Sequence, residues 1–175
     1  MTNNNPNDLP YRRGVGLCVF NAEGSVLIAE RRDRRGAWQM PQGGINKDED
    51  PRATALRELK EEVGTNKATL IAQHPDKLTY EFPDWLQNRR GTFRGKYRGQ
   101  EQIWFALRFE GQDSDIDLSG ADEPEAPEFI AWRWEHLIEV PKLIVDFKRP
   151  VYESVVKGFH PIAEALRRGE TPPPL

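Results

Sequence analysis

Gly43-Gly-Ile-Asn-Lys-Asp-Glu-Asp-Pro-Arg-Ala-Thr-Ala-Leu-Arg-Glu-Leu-Lys-Glu-Glu-Val-Gly-Thr65 holds the clearest helix signal in the chain, with matching marks at both ends. Asp50 suits the N-cap, Pro51 the first helical position and Gly64 the C-terminal cap. Between them Ala55, Leu56, Leu59 and Val63 make an apolar stripe at helical spacing. Glu58, Glu61 and Glu62 stand at i, i+3 and i+4, which puts three carboxylates on one face, expected roughly opposite that stripe. Like charges at these spacings cost about a few tenths of a kcal/mol per pair, and the C-terminal half of a helix disfavours acids. A hard divalent cation, magnesium or manganese, resolves that conflict. The alternative is a solvated acidic face with Arg57 and Lys60 as ion-pair partners.

Outward from this helix the apolar pattern changes to that of strands. Val15–Phe20 reads as one strand and residues 25–30 as its return, across a turn at Asn21-Ala-Glu-Gly24. Trp38-Gln-Met40 suggests a short strand, and Pro41-Gln-Gly-Gly44 a loop. Further strands are expected at residues 69–73, 77–82, 103–109 and 129–134, with loops at 83–99 and 111–127. Residues 135–168 read as helical, with interruptions near Pro141, Pro150 and Pro161. The expected organisation is a disordered segment over 1–10, one domain over 11–168 and a flexible tail over 169–175.

Composition limits the function classes. With 175 residues, 37% of them hydrophobic, one domain can bury a real core. The net charge of -3 excludes a broadly basic nucleic-acid binder, so contacts to nucleic acid would rest on local patches. The single cysteine, Cys18, lies in an apolar strand and reads as a core residue. No signal-peptide pattern or bilayer-length apolar run is present, which gives the cytoplasm as the default and no membrane partner. His74, His136 and His160 lack ligand-like spacing, so a histidine zinc site is not expected. Asp113-Ser-Asp-Ile-Asp117 resembles the start of a calcium loop, but Leu118 stands where that loop needs glycine and Pro124 where it needs the closing glutamate.

Residues 43–65 follow the pattern G-x5-E-x7-R-E-U-x-E-E-x-G-U, where U is a bulky aliphatic residue, and so resemble the Nudix signature. Gly43, Glu49, Arg57, Glu58, Glu61, Glu62 and Gly64 fill its glycine and charged positions; Thr65 departs from the aliphatic at the end. That resemblance implies an α+β fold, a mixed β-sheet sandwiched between α-helices. It also implies metal-assisted hydrolysis of a phosphoanhydride attached to a nucleoside. Magnesium is the implied metal, with manganese or zinc as possible substitutes. Glu58 and Glu62 become first candidates for direct ligands, with Glu61 completing the cluster. Arg57 is expected to orient carboxylates, with Glu49 as partner. Gly43 and Gly44 are expected to let the backbone approach metal or phosphate closely.

Tyr11-Arg12, Trp38-Gln39, Pro41-Gln-Gly-Gly-Ile45, Gly99-Gln100, Trp104-Phe105, Pro127-Glu-Phe129, Trp132-Arg-Trp134 and Phe147-Lys-Arg149 extend the likeness. Over roughly residues 11–160 the chain resembles bacterial RNA pyrophosphohydrolases and the related dinucleoside polyphosphate hydrolases. The implied reaction removes pyrophosphate from 5′-triphosphorylated RNA, an entry into mRNA decay. The alternative splits diadenosine tetraphosphate into ATP and AMP, and a third reading is a non-catalytic nucleotide sensor. No obligate protein partner is implied. Glu128 matches a glutamate that joins the metal site or acts as base. Arg12, Arg32 and Lys148 are candidates for phosphate or the 5′ base. Tyr80 either stacks an adenine or is an ordinary strand residue. Arg89, Arg90, Arg94, Lys96 and Arg98, interleaved with Phe93 and Tyr97, form either a nucleic-acid contact or a merely soluble loop.

Overall fold

The computed structural model describes residues 8–87, 95–119 and 127–172. Among the described residues eight strands form one sheet: β1 (Tyr11–Phe20), β2 (Val26–Arg31), β3 (Trp38–Gln39), β4 (Gln42–Gly44), β5 (Ala68–Gln73), β6 (Leu78–Glu81), β7 (Gly99–Phe109) and β8 (Phe129–Glu135). Its main path runs β3-β2-β1-β7-β5, with β4 added to β1, β6 to β7 and β8 to β2. The central pair, β1 and β7, is parallel from Tyr11↔Gly99 to Phe20↔Arg108, whereas the other pairings are antiparallel.

Because β1 is covered on both faces, its alternating side chains enter two cores. Val15, Leu17 and Val19 pack with Ala55, Leu59 and Val63 of α1 (Pro51–Val63). Cys18 and Phe20 pack with Tyr152, Val155, Phe159 and Ile162 of α3 (Arg149–Arg167). The sheet therefore lies between α1 and α3, the expected mixed sandwich. A one-turn helix, α2 (Asp84–Gln87), follows β6.

Both caps of α1 form as the sequence indicates. The Asp50 carboxylate accepts from the N–H groups of Arg52 and Ala53. Gly64 adopts φ 74°, a left-handed conformation that glycine takes without Cβ strain, and its N–H donates to the Lys60 carbonyl. Thr65 is buried just beyond, in place of the aliphatic residue.

Four expectations are corrected. Residues 42–44 form a strand, because their main chain pairs with Gly14–Gly16 of β1. Leu56 is 40% exposed, while Thr54 and Glu58 sit on the packed side of α1. Glu58 thus lies at the edge of the apolar stripe and not opposite it, since it stands at i+3 from buried Ala55. Strands β1 and β7 start earlier than their apolar runs, at Tyr11 and Gly99. Residues 137–142 and 146–148 are 3-10 turns, and α3 then runs through Pro161 unbroken. Phe159, Ile162, Ala163 and Leu166 bury that stretch against the sheet, which compensates for the main-chain donor that proline lacks.

Candidate active site

Strand β4 and helix α1 bring the acidic cluster together. The Arg57 guanidinium, at the centre, binds Glu49 through Nε (2.8 Å) and Nη2 (3.0 Å). Its Nη1 reaches Glu58 (2.9 Å) and Glu61 (2.8 Å), and Nη2 also donates to the Gly44 carbonyl (3.0 Å). Glu49 accepts in addition from the Asn46 N–H. These bonds, Arg57 first, pull the Glu49 carboxyl down to about 2.

Glu58 is only 8% exposed. Burial, then the charge of Glu61, lifts its carboxyl to about 7 against the opposing pull of Arg57 and Arg12. The adjacent glycines make this packing possible. A Cβ at position 43 would overlap the Glu58 carboxyl, and one at position 44 would overlap the Arg12 guanidinium. The groups that crowd the two glycines are thus a carboxylate and a guanidinium of the chain itself.

Glu62 accepts from the Gln42 N–H (3.0 Å). Its carboxyl is pushed well up, by burial first and next by the charge of Glu128 and a hydrogen bond to it. Glu128 is exposed, immediately ahead of β8. Its carbonyl accepts from the Arg32 N–H (2.8 Å), beside an irregularity in the β2–β8 register at Glu30/Arg31.

Cationic groups complete the neighbourhood. Lys148 is 4% exposed, its ammonium donating to Gln39 Oε1 (3.4 Å) and Gln42 Oε1 (3.3 Å) and lying 5.3 Å from the Tyr80 ring centroid. Burial, then the charge of Arg31, lowers it to about 8, while Glu128 and Glu62 act in the opposite sense. Arg31, which sequence reading passed over in favour of Arg32, donates to Gln39 Oε1 and is clasped by Asp33. Arg32 is exposed and touches the site through its main chain.

Tyr80 lies in the core cluster on the α3 side of the sheet. Its ring is 6% exposed, with Lys148 on it, Phe147 and Phe82 against it, and its hydroxyl hydrogen-bonded to the Gln42 side chain. Arg89, Arg90, Phe93 and Arg94 lie outside the described residues. Of the same basic stretch, Arg98 is ion-paired with Glu81 and lies over the Tyr11 ring.

Among the described residues no three acidic, histidine or cysteine groups already stand together as a metal cage. Arg57 engages Glu58 and Glu61, and the Gln42 N–H engages Glu62. The donor chemistry nevertheless fits a hard cation. Glu62 and Glu128 press two carboxyls together, and buried Glu58 is held towards its neutral form. A cation would replace the protons that Glu58 and Glu62 are pushed towards retaining.

A NUDIX domain profile matches residues 10–155. The chain belongs to the Nudix family. Members of this Nudix family generally use divalent metal ions. Its similar relatives include a protein of Gluconacetobacter diazotrophicus called RNA pyrophosphohydrolase, 51% identical over 87% of this chain and 93% of that one. A protein of Rhodospirillum rubrum with the same name is 51% identical over 85% and 86% of the two chains. One from Bradyrhizobium diazoefficiens, again so named, is 45% identical over 90% and 96%. Solved Nudix structures share the fold at lower identity. The E. coli dihydroneopterin triphosphate pyrophosphohydrolase gives a TM-score of 0.62 at 22% identity, over 85% of this chain and 98% of that one. A C. elegans Ap4A hydrolase in a binary complex gives 0.58 at 18%, over 83% and 96%. Among the described residues no helix is long and apolar enough to cross a membrane.

Proposed function

We propose that this Nudix protein is an RNA pyrophosphohydrolase of the cytoplasm, which removes pyrophosphate from the 5′-triphosphate end of RNA and leaves a 5′-monophosphate. The observation that carries the chemistry is the Glu62–Glu128 carboxyl pair, with Lys148 close enough for all three charges to interact. Paired acids favour a cation, and the neighbouring ammonium favours a phosphate. The substrate class rests on the relatives called RNA pyrophosphohydrolase.

Glu58, Glu61, Glu62 and Glu128 would hold magnesium, with manganese as substitute. When bound, the metal supplies charge neutralisation and a more acidic water. The remaining work belongs to side chains. Lys148, Arg12 and Arg31 attract the polyphosphate and align it. Arg57 keeps Glu58 and Glu61 from turning away. Glu128, exposed where Glu58 is buried, takes the proton as the water oxygen bonds to phosphorus and the anhydride P–O bond breaks.

The experiment compares specificity constants on 5′-triphosphorylated RNA and diadenosine tetraphosphate, side by side with magnesium. Faster turnover of RNA supports the proposal. Preference for the dinucleoside moves the protein to the other subfamily, and binding of both without hydrolysis makes it a nucleotide sensor.

A further inference from the structure

We propose that Gln102 is a positioning residue for Lys148, acting through the side chain of Gln42. The inference rests on the reading of Lys148 as a phosphate-binding group. A glutamine amide can be placed either way round, and its partners decide which end is oxygen. Here the direction starts from a group with no choice. The Trp104 indole only donates, and its Nε1–H points at Gln102 Oε1 (3.1 Å). Trp104 is itself fully buried, flat against Gly16 and edge-on to Tyr152. It cannot swing to follow the amide.

With its oxygen committed, Gln102 presents Nε2 to Gln42 Oε1 (3.2 Å) and Gln100 Oε1 (3.0 Å). The oxygen of Gln42 therefore faces both Gln102 and the Lys148 ammonium. An ammonium is also a donor only, so each end of the chain carries a donor and the two amides between them have one consistent arrangement. Turning Gln102 over would set its NH2 against the indole N–H. The consequent turn of Gln42 would set its NH2 against the ammonium.

Gln42 links the two halves of the site as well. Its main-chain N–H holds Glu62, while its side-chain oxygen holds Lys148. Fixing Gln42 thus fixes the distance between an acid of the cation cluster and the cation that meets phosphate. Two of the three ammonium hydrogens face Gln39 and Gln42.

The test is a double-mutant cycle with Q102E and K148M on the full chain. Q102E keeps the acceptor for Trp104 and loses the donor to Gln42. The expected result is a rise in KM for triphosphorylated RNA of about tenfold with kcat nearly kept, the scale of one misplaced hydrogen bond. Adding Q102E to K148M should change KM no further. Equal, additive effects in both backgrounds, or a loss confined to kcat and thermal stability, overturn the relay. Q102M, which lacks both donor and acceptor but keeps the length, replaces Q102E if the buried carboxylate prevents folding. Reading the same cycle as the Kd for inorganic tripolyphosphate separates the two ideas. A wild type that binds tripolyphosphate without cleaving RNA defeats the proposed function and leaves the relay standing. One in which Q102E binds tripolyphosphate as well as wild type defeats the relay alone.

Discussion

Glu62, in the last turn of α1, and Glu128, just ahead of β8, hold their carboxyl groups in hydrogen-bonding contact. Two acids from distant parts of the chain thus meet within reach of the Lys148 charge. Without a cation, burial and next the charge of Glu128 push the Glu62 carboxyl well up, towards its neutral form. That arrangement favours binding of a divalent ion over stability of the metal-free fold.

Replacing Glu128 by Gln should separate these two consequences. Turnover is expected to fall at least about tenfold, as for loss of a general base or ligand. The metal-free protein should melt at the same temperature or higher, because the like-charge neighbour of Glu62 is gone. Near-wild-type turnover would remove Glu128 from the reaction.

Acidity of the cluster predicts how the metal-free protein responds to pH. Glu58 has its carboxyl at about 7 in the fold, against an ordinary 4.5. Between those values the folded state binds more protons than the unfolded one, so the unfolding free energy falls as pH rises. Glu62 acts with the same sign. Glu49, held at about 2, has the opposite sign but exerts it below pH 4.5. The thermal midpoint in EDTA should therefore decline from pH 5 to pH 7.5. Saturating magnesium should remove most of the decline, and a flat profile in EDTA would show that these acids are not held neutral.

Gly43→Ala introduces a methyl where the Glu58 carboxyl lies. Either the carboxyl or β4 must move, and overpacking of this kind costs about 1–3 kcal/mol. Since the displaced group is a proposed ligand, magnesium affinity measured by calorimetry should drop by more than tenfold, about 1.4 kcal/mol. Unchanged affinity would argue that Glu58 is not a ligand.

Arg57→Lys retains the charge and loses the fork. Arg57 makes two bonds to Glu49 and one each to Glu58, Glu61 and the Gly44 carbonyl, in directions that one ammonium cannot reproduce. Turnover is expected to fall about tenfold or more, with KM much less affected. A variant with wild-type kcat would mean that Glu58 and Glu61 need no clamp.

Much of this was legible in the chain before any fold was drawn. The ends of α1 were set by Asp50 and Gly64, whose capping chemistry is local. The Arg57–Glu49 contact followed from the resemblance of residues 43–65. What escaped depends on tertiary neighbours. The burial of Glu58 comes from β4 lying over it, and Gly43 gives no sign in composition that it is a strand residue. Adjacent arginines 31 and 32 exchange roles because the register shifts between Glu30 and Arg31, which no period-2 pattern reveals. Gln39 fell in the short strand expected at 38–40, Gln42 in an expected loop, and Gln100 and Gln102 ahead of the strand expected from residue 103. Alternation alone does place Gln100 and Gln102 on the same side as Trp104, and that was the available signal. Glu128 was reached through resemblance alone, since its partner Glu62 lies on another element.

The central claim is that the acidic side of α1, with Glu128, is a cation site. Anomalous diffraction from crystals of the full chain soaked in manganese measures it directly. A peak is expected within about 2–2.5 Å of carboxylate oxygens of Glu62 and at least one of Glu58, Glu61 and Glu128. No peak beside those carboxylates, in crystals whose protein still cleaves triphosphorylated RNA when dissolved, would contradict it.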